Sequence, residues 1–162
     1  MTDTPSSSAP ASTPLRIGDP APELVLPDQT GTPRSLAQLR GSRPAVVYFY
    51  PKDNTPGCTA QACAFRDEFD DFRKLDAIVI GISSDTPESH AAFAKRFRLP
   101  FVLLSDVSGL ARALFGVPKT LGLFPGRVTY VIDASGIVRR IFSSQLQATR
   151  HIREALDALR PA

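Results

Sequence analysis

Cys58 and Cys63 are the only thiols in the chain, and they fall where an apolar run gives way to an amphipathic one. The local string is Pro51-Lys52-Asp53-Asn54-Thr55-Pro56-Gly57-Cys58-Thr59-Ala60-Gln61-Ala62-Cys63. Thr55-Pro56 reads as a helix start, with threonine at the N-cap and proline at the first helical position. Cys58 then lies in the first turn, where the positive end of the helix dipole favours a thiolate. Its position beside Gly57 predicts an exposed sulfur. Thiolate, rather than thiol, is the nucleophile toward peroxides and disulfides. The first expectation is therefore thiol redox chemistry at Cys58.

The elements around this string must hold it in place. Pro44–Tyr50 is a near-continuous apolar run between prolines, which predicts a strand buried on both faces. The helix after it carries Ala62, Phe65, Phe69 and Phe72 at spacings of three and four, with charged residues between them. Upstream, Glu23–Pro27 and Thr32–Ser35 flank a glycine turn and predict a short hairpin. Downstream, Ala77–Ile82 and Phe101–Leu104 read as strands, with a helix from Thr86-Pro87 to before Pro100 between them. A short helix over Gly109–Phe115 follows. Val128–Ile132 and Ile137–Phe142 flank Asp133-Ala134-Ser135-Gly136, an antiparallel hairpin signal. A last helix spans about Gln147–Arg160. This order predicts a mixed α/β sheet with helices on both faces, the pattern of a thioredoxin-like fold with an added N-terminal β-hairpin.

Composition narrows the class. At 162 residues, 43% hydrophobic and 22% charged, one soluble domain is expected over residues 15–162. Residues 1–14 contain Ser, Thr, Pro, Ala, Asp and Met only, too little apolar surface to offset ordering, and read as a mobile tail. A net charge of +3 with dispersed Arg and Lys predicts no nucleic-acid partner. No apolar run is long enough to suggest a membrane span, and two cysteines are too few for a secreted disulfide scaffold. A cytoplasmic setting is the expectation that follows. His90 and His151 show no ligand spacing and are expected on helix surfaces, and Tyr48, Phe49 and Tyr50 in the core.

The pattern Pro51-x-x-x-Thr55-x-x-Cys58 resembles the active-site signature of the peroxiredoxins, and the fuller string is similar to their Q-type subfamily, the bacterioferritin-comigratory proteins. Gly18-Asp19-Pro20-Ala21-Pro22, Gly81-Ile82-Ser83 and Pro125-Gly126-Arg127-Val128-Thr129-Tyr130-Val131-Ile132-Asp133 extend the resemblance from about residue 16 onward. What it implies is a peroxiredoxin-type thioredoxin fold and a thiol-dependent peroxidase acting on hydrogen peroxide and organic hydroperoxides. Cys58 would be the peroxidatic nucleophile and Cys63 the resolving thiol that closes an intramolecular disulfide. A thioredoxin- or glutaredoxin-like reductant would then reopen it. Thr55, Arg127 and the backbone N–H groups of Gly57 and Cys58 would stabilise charge on the leaving oxygen, and Pro51 would shield the thiolate. Gln61 stands where many members carry Glu. No cofactor is implied, and a monomer is expected.

Two other readings share the motif. A thiol–disulfide oxidoreductase would use C-x-x-C, whereas four residues separate these cysteines. A non-catalytic redox sensor would oxidise once without turning over. Zinc binding is not expected from two cysteines lacking partner ligands.

Overall fold

A computed structural model of the chain describes residues 14–120 and 124–161. The tail expected over residues 1–14 lies, but for Pro14, outside the described residues. The hairpin near the N-terminus is present as β1 (Val25–Pro27) and β2 (Pro33–Ser35). Its turn is locked by Asp28, whose carboxylate accepts from the N–H groups of Thr30 and Thr32, with Gly31 at φ 83°. A one-turn helix that the apolar spacing does not announce, α1 (Leu36–Arg40), follows. Ser35 caps it by accepting from the Gln38 N–H.

The chain then builds the main sheet. β3 (Ala45–Phe49) is followed by α2 (Pro56–Asp67), α3 (Phe69–Lys74), β4 (Ile78–Ser83), α4 (Pro87–Phe97), β5 (Val102–Ser105) and α5 (Leu110–Phe115). A two-residue pair, β6 (Lys119–Thr120) with β7 (Phe124–Pro125), leads into β8 (Val128–Ile132), β9 (Val138–Ser143) and α6 (Arg150–Leu159). Five strands share the sheet in the order β5-β4-β3-β8-β9. β3, β4 and β5 are parallel, joined by helical crossovers, while β8 and β9 run antiparallel as the hairpin signal predicted.

β3 is the central strand and every residue of it is buried. Its side chains alternate between two cores. Val47 and Phe49 face one that includes the N-terminal hairpin, α1 and α5. Val46, Tyr48 and Tyr50 face another that includes α2, α3, α4 and α6. Two-sided burial is why Pro44–Tyr50 reads as an unbroken apolar run. Cys58 belongs to the second core.

Two features depart from the expectations. The helix read from Thr55 through residue 74 is broken at Glu68 (φ −98°, ψ 11°). No Pro or Gly marks the break; it accompanies full burial of both Phe65 and Phe72, whose rings lie 5.7 Å apart. His90 and His151, expected on helix surfaces, are both fully buried. Each has partners for both ring nitrogens, which is how a polar ring is tolerated there. Tyr48, Phe49 and Tyr50 are core residues, as expected.

Gly81 of β4 makes room for the ring of Tyr48. A Cβ there would lie 2.9 Å from the Tyr48 hydroxyl and 2.8 Å from a Leu103 methyl. Gly81→Ala should therefore destabilise the fold by about 1–3 kcal/mol through overpacking. Urea denaturation of the variant, with a lowered midpoint at unchanged slope, is the expected result.

Candidate active site

Register sets the site. In the β3–β8 pairing Phe49 stands opposite Val128. The residues just beyond this pair, Tyr50-Pro51 on one strand and Arg127 on the other, therefore leave the sheet side by side. β3 ends there, and the segment from Pro51 to Asn54 turns the chain into α2. Asn54 adopts a left-handed conformation, φ 62°, which asparagine tolerates better than most residues.

This turn is held from beneath by a buried polar cluster. The Asp53 carboxylate accepts from the Tyr50 hydroxyl at 2.6 Å and from Ser89 Oγ at 2.8 Å, and pairs with His90 Nδ1 at 2.7 Å. His90 Nε2 reaches the Leu104 carbonyl at 3.0 Å. The Asp53 N–H donates to Asp85, which also accepts from Ser83 Oγ. Asp53, Asp85 and His90 are close enough together to suggest a metal site. Both Asp53 oxygens and both His90 nitrogens are already engaged, however, so the cluster is better described as an internal hydrogen-bonded network that anchors the turn.

Cys58 is the third residue of α2. Arg127 donates from Nη2 to Cys58 Sγ at 3.3 Å and from Nη1 to Gln61 Oε1 at 2.5 Å. Both acceptors lie on one face of α2, three residues apart, so one guanidinium fork spans them. Gly57 permits this approach, since a Cβ there would sit 3.1 Å from Arg127 Nη2. Contrary to the expected exposure, Cys58 is 1% exposed. The guanidinium, Gln61 and the Tyr48–Tyr50 cluster cover it, which strengthens the charge interaction relative to one in water.

The other expected residues fall as follows. Pro51 sits at the bend, half-buried. Thr55 occupies the N-cap position by its backbone (φ −84°, ψ 151°) but does not cap. Its hydroxyl donates to the Lys52 carbonyl at 2.8 Å instead, a local bond that competes with capping. Among the described residues, no acceptor takes the N–H groups of Gly57 or Cys58. Cys63 lies half-buried on the same helix, and both cysteines are free thiols.

Three site features were not legible beforehand. Tyr48 Oη, Gln61 Nε2 and Arg127 Nε are buried with no hydrogen-bond partner. Burial, then the nearby negative charge at Cys58, pushes the Tyr48 hydroxyl well above its ordinary value, so it remains a neutral phenol. A second guanidinium, Arg112, approaches from α5 and donates to the Tyr50 and Gly126 carbonyls. Only the lone charge in the apolar string Leu110–Phe115 hints at its burial. Among the described residues, neither Arg112 nor Arg127 has a carboxylate within salt-bridge distance.

The arrangement brings a buried sulfur and a buried guanidinium together at the start of α2, beside free N–H donors and with a second guanidinium on the adjoining backbone. The AhpC/TSA family profile matches residues 17–141, and the chain belongs to that family of thiol-dependent peroxidases. Peroxiredoxin Q of Sedum lineare, named chloroplastic, is 52% identical over 143 residues, covering 88% of this chain and 76% of that protein. The crystal structure of peroxidoxin BcpB from Mycobacterium tuberculosis superposes with a TM-score of 0.83 at 41% identity, covering 90% of this chain and 96% of that one. The bacterioferritin comigratory protein of Xanthomonas campestris, whose structure concerns alkyl peroxide reduction, gives 0.77 at 30% identity, covering 84% and 89%. The Q-type resemblance and the thioredoxin-like fold are thereby shown. The oxidoreductase and sensor readings are not favoured. The cytoplasmic expectation is corrected: the Sedum protein and others from plants carry names that place them in the chloroplast. A closely spaced pair of reduced thiols requires only a compartment that keeps thiols reduced, so cysteine count cannot specify which one. Among the described residues, no helix is long and apolar enough to cross a membrane.

Behind Arg127, His151 accepts from the Thr129 hydroxyl at Nδ1 and donates from Nε2 to the Ser144 carbonyl, both at 2.8 Å. Burial, reinforced by the Arg127 charge, lowers it from 6.5 to about 4. With the folded value below the unfolded one, its contribution is present above pH 6.5 and is lost as pH falls toward 4. The loss amounts to about 3 kcal/mol. His151→Gln should flatten the dependence of urea stability on pH over that window, and an unchanged slope would contradict the assignment.

Proposed function

We propose that Cys58 is the peroxidatic thiol and Cys63 its resolving partner. The single observation that carries this reading is the Arg127 fork, with one arm at Cys58 Sγ and the other at Gln61. The Cys58 thiolate attacks the distal oxygen of a hydroperoxide. The O–O bond breaks, sulfur is oxidised to the sulfenic acid, and the leaving oxygen departs as water or an alcohol after taking up a proton. Arg127 and the free N–H groups of Gly57 and Cys58 stabilise the charge developing on that oxygen. Thr55, whose hydroxyl donates to the Lys52 carbonyl, accepts a hydrogen bond from the peroxide O–H. That proton stays with the oxygen transferred to sulfur, and solvent supplies the one taken up by the leaving oxygen. Pro51 screens the sulfur from bulk water.

Cys63 then attacks the sulfenic sulfur, releasing water and forming the disulfide. Both cysteines lie on α2, and five residues of helix separate their Cα atoms by about 8–9 Å. A disulfide tolerates no more than about 7 Å. The first turns of α2 therefore unwind after oxidation. The absence of a side-chain cap at Thr55 and the glycine at residue 57 make that end the weaker one. Phe65, stacked on Tyr48 at 4.5 Å, holds the far end. A thioredoxin- or glutaredoxin-like dithiol reopens the disulfide, and the protein works as a monomer whose single domain spans residues 15–162.

Cys58→Ser should abolish peroxide consumption, because an alcohol is too weakly acidic to replace the thiolate. More than a few per cent of residual activity would count against the assignment. Cys63→Ser should complete one turnover and then over-oxidise at Cys58; mass spectrometry after peroxide excess checks this, and steady turnover with thioredoxin at the wild-type rate would remove Cys63 from the mechanism. Amide hydrogen exchange should show residues 59–64 protected when reduced and exposed in the disulfide form, with Phe65 onward protected in both. Equal protection of 59–64 in the two states would rule unwinding out.

A further inference from the structure

The Arg112 side chain has a part in this site that the family signature does not include. It projects from α5, a helix of six residues in which it is the one charged side chain. Asp106 fixes the start of that helix by accepting from the backbone N–H groups of Ala111 and Arg112. From there the guanidinium lies over the Phe49 ring, 5.7 Å from its centroid. It donates from Nη2 to the Tyr50 carbonyl at 2.7 Å and from Nη1 to the Gly126 carbonyl at 3.1 Å.

These two carbonyls belong to the peptide units that immediately precede Pro51 and Arg127. One unit begins the turn that delivers Cys58; the other delivers the cation that faces it. The β3–β8 ladder, which keeps the two chains in register as far as Phe49 and Val128, ends just short of both. A single planar fork with two diverging donors bridges the gap where backbone pairing stops.

We propose that Arg112 is a positioning residue for the peroxidatic reaction, clamping the Tyr50–Pro51 and Gly126–Arg127 peptides so that Arg127 Nη2 stays against Cys58 Sγ. This rests on the assignment of Cys58 and Arg127 made above. The location of the charge suits the role. Burial lowers Arg112 from its ordinary value and negative charge at Asp106 and Cys58 acts against that, so a charged Arg112 and a Cys58 thiolate favour one another. A guanidinium needed only to satisfy two carbonyls could be replaced by backbone or water. One that fixes the separation of two reacting groups could not, because displacements near 1 Å cost about a hundredfold in rate.

The test is a double-mutant cycle read by stopped-flow oxidation of the reduced full chain with hydrogen peroxide, below the melting temperature of each variant. Arg112→Lys carries it, since the stem and charge still fill the site while one ammonium cannot hold both carbonyls; Arg112→Gln is the second variant. Phe115→Leu, which loosens the same helix but keeps the clamp, is the control for stability alone. Arg112→Lys should lower the second-order rate constant about tenfold to a hundredfold and move the pH profile of the rate toward alkaline values. In an Arg127→Gln background the same change should alter the rate by less than about twofold, because the group being positioned is gone. Phe115→Leu should lower the melting temperature with the rate unchanged. A wild-type rate in Arg112→Lys, or an equal fold loss in both backgrounds, would overturn the proposal. A wild-type rate in Arg127→Gln itself would instead overturn the reading of the site on which it rests.

Discussion

The contact on which the rest depends is that of the Arg127 guanidinium with the Cys58 sulfur, made where neither group meets water. Arg127 is 6% exposed, and its second arm goes to a neutral amide, Gln61, rather than to a carboxylate. An opposite-charge pair about 4 Å apart at an effective dielectric constant of about 20 is worth about 4 kcal/mol before desolvation is subtracted. A buried cation without an anion is costly. In the proposed mechanism a Cys58 thiolate is the anion that meets it, which ties nucleophile activation to the folded packing. The sheet supplies the geometry: β8 lies beside β3 in the register that puts Arg127 next to Pro51, and α2 starts from the turn between them.

The same helix must then satisfy two opposed demands. In the proposed mechanism it has to present Cys58 to the peroxide in a fixed place, and it has to let go of Cys58 once sulfur is oxidised. The packing divides these duties along its length. Toward the C-terminal half, Phe65 is fully buried and stacks on Tyr48, for which Gly81 leaves space. Toward the N-terminus the turn is pinned through Asp53 and His90, which belong to the segment before the helix and to α4. The first turn between these anchors has no side-chain cap. Its hold on the scaffold runs chiefly through the Cys58 sulfur itself and the neighbouring Gln61 amide, the two groups Arg127 grips. Oxidation of the sulfur removes the charge that made the first of those contacts strong, so the chemical step weakens the restraint that must yield.

Much of this was legible in the residues, for identifiable reasons. Two-sided burial made β3 an apolar run, and Asp133–Gly136 announced the β8–β9 hairpin, so the central sheet was readable. Cys58, Thr55 and Arg127 were readable because their spacing resembles a known family; nothing local to Arg127 distinguishes it from a surface arginine. What escaped was set by tertiary packing. α1 is too short for periodicity to register. The break at Glu68 lacks a breaker residue. His90 and His151 are polar residues whose burial depends on partners remote in sequence, Asp53 and Leu104 for one, Thr129 for the other. Arg112 is hidden for the same reason, its acceptors lying 62 and 14 residues away. The exposure expected for Cys58 followed from its neighbours in sequence, whereas its cover comes from other elements.

The most direct test of the central claim is the ultraviolet thiolate absorbance of Cys58, measured at neutral pH in Cys63→Ser protein with Arg127 intact and with Arg127→Gln. If the thiolate is the counter-charge of the buried guanidinium, the absorbance present in the first protein is largely lost in the second and returns only at alkaline pH. Equal absorbance in the two proteins at neutral pH would contradict the account.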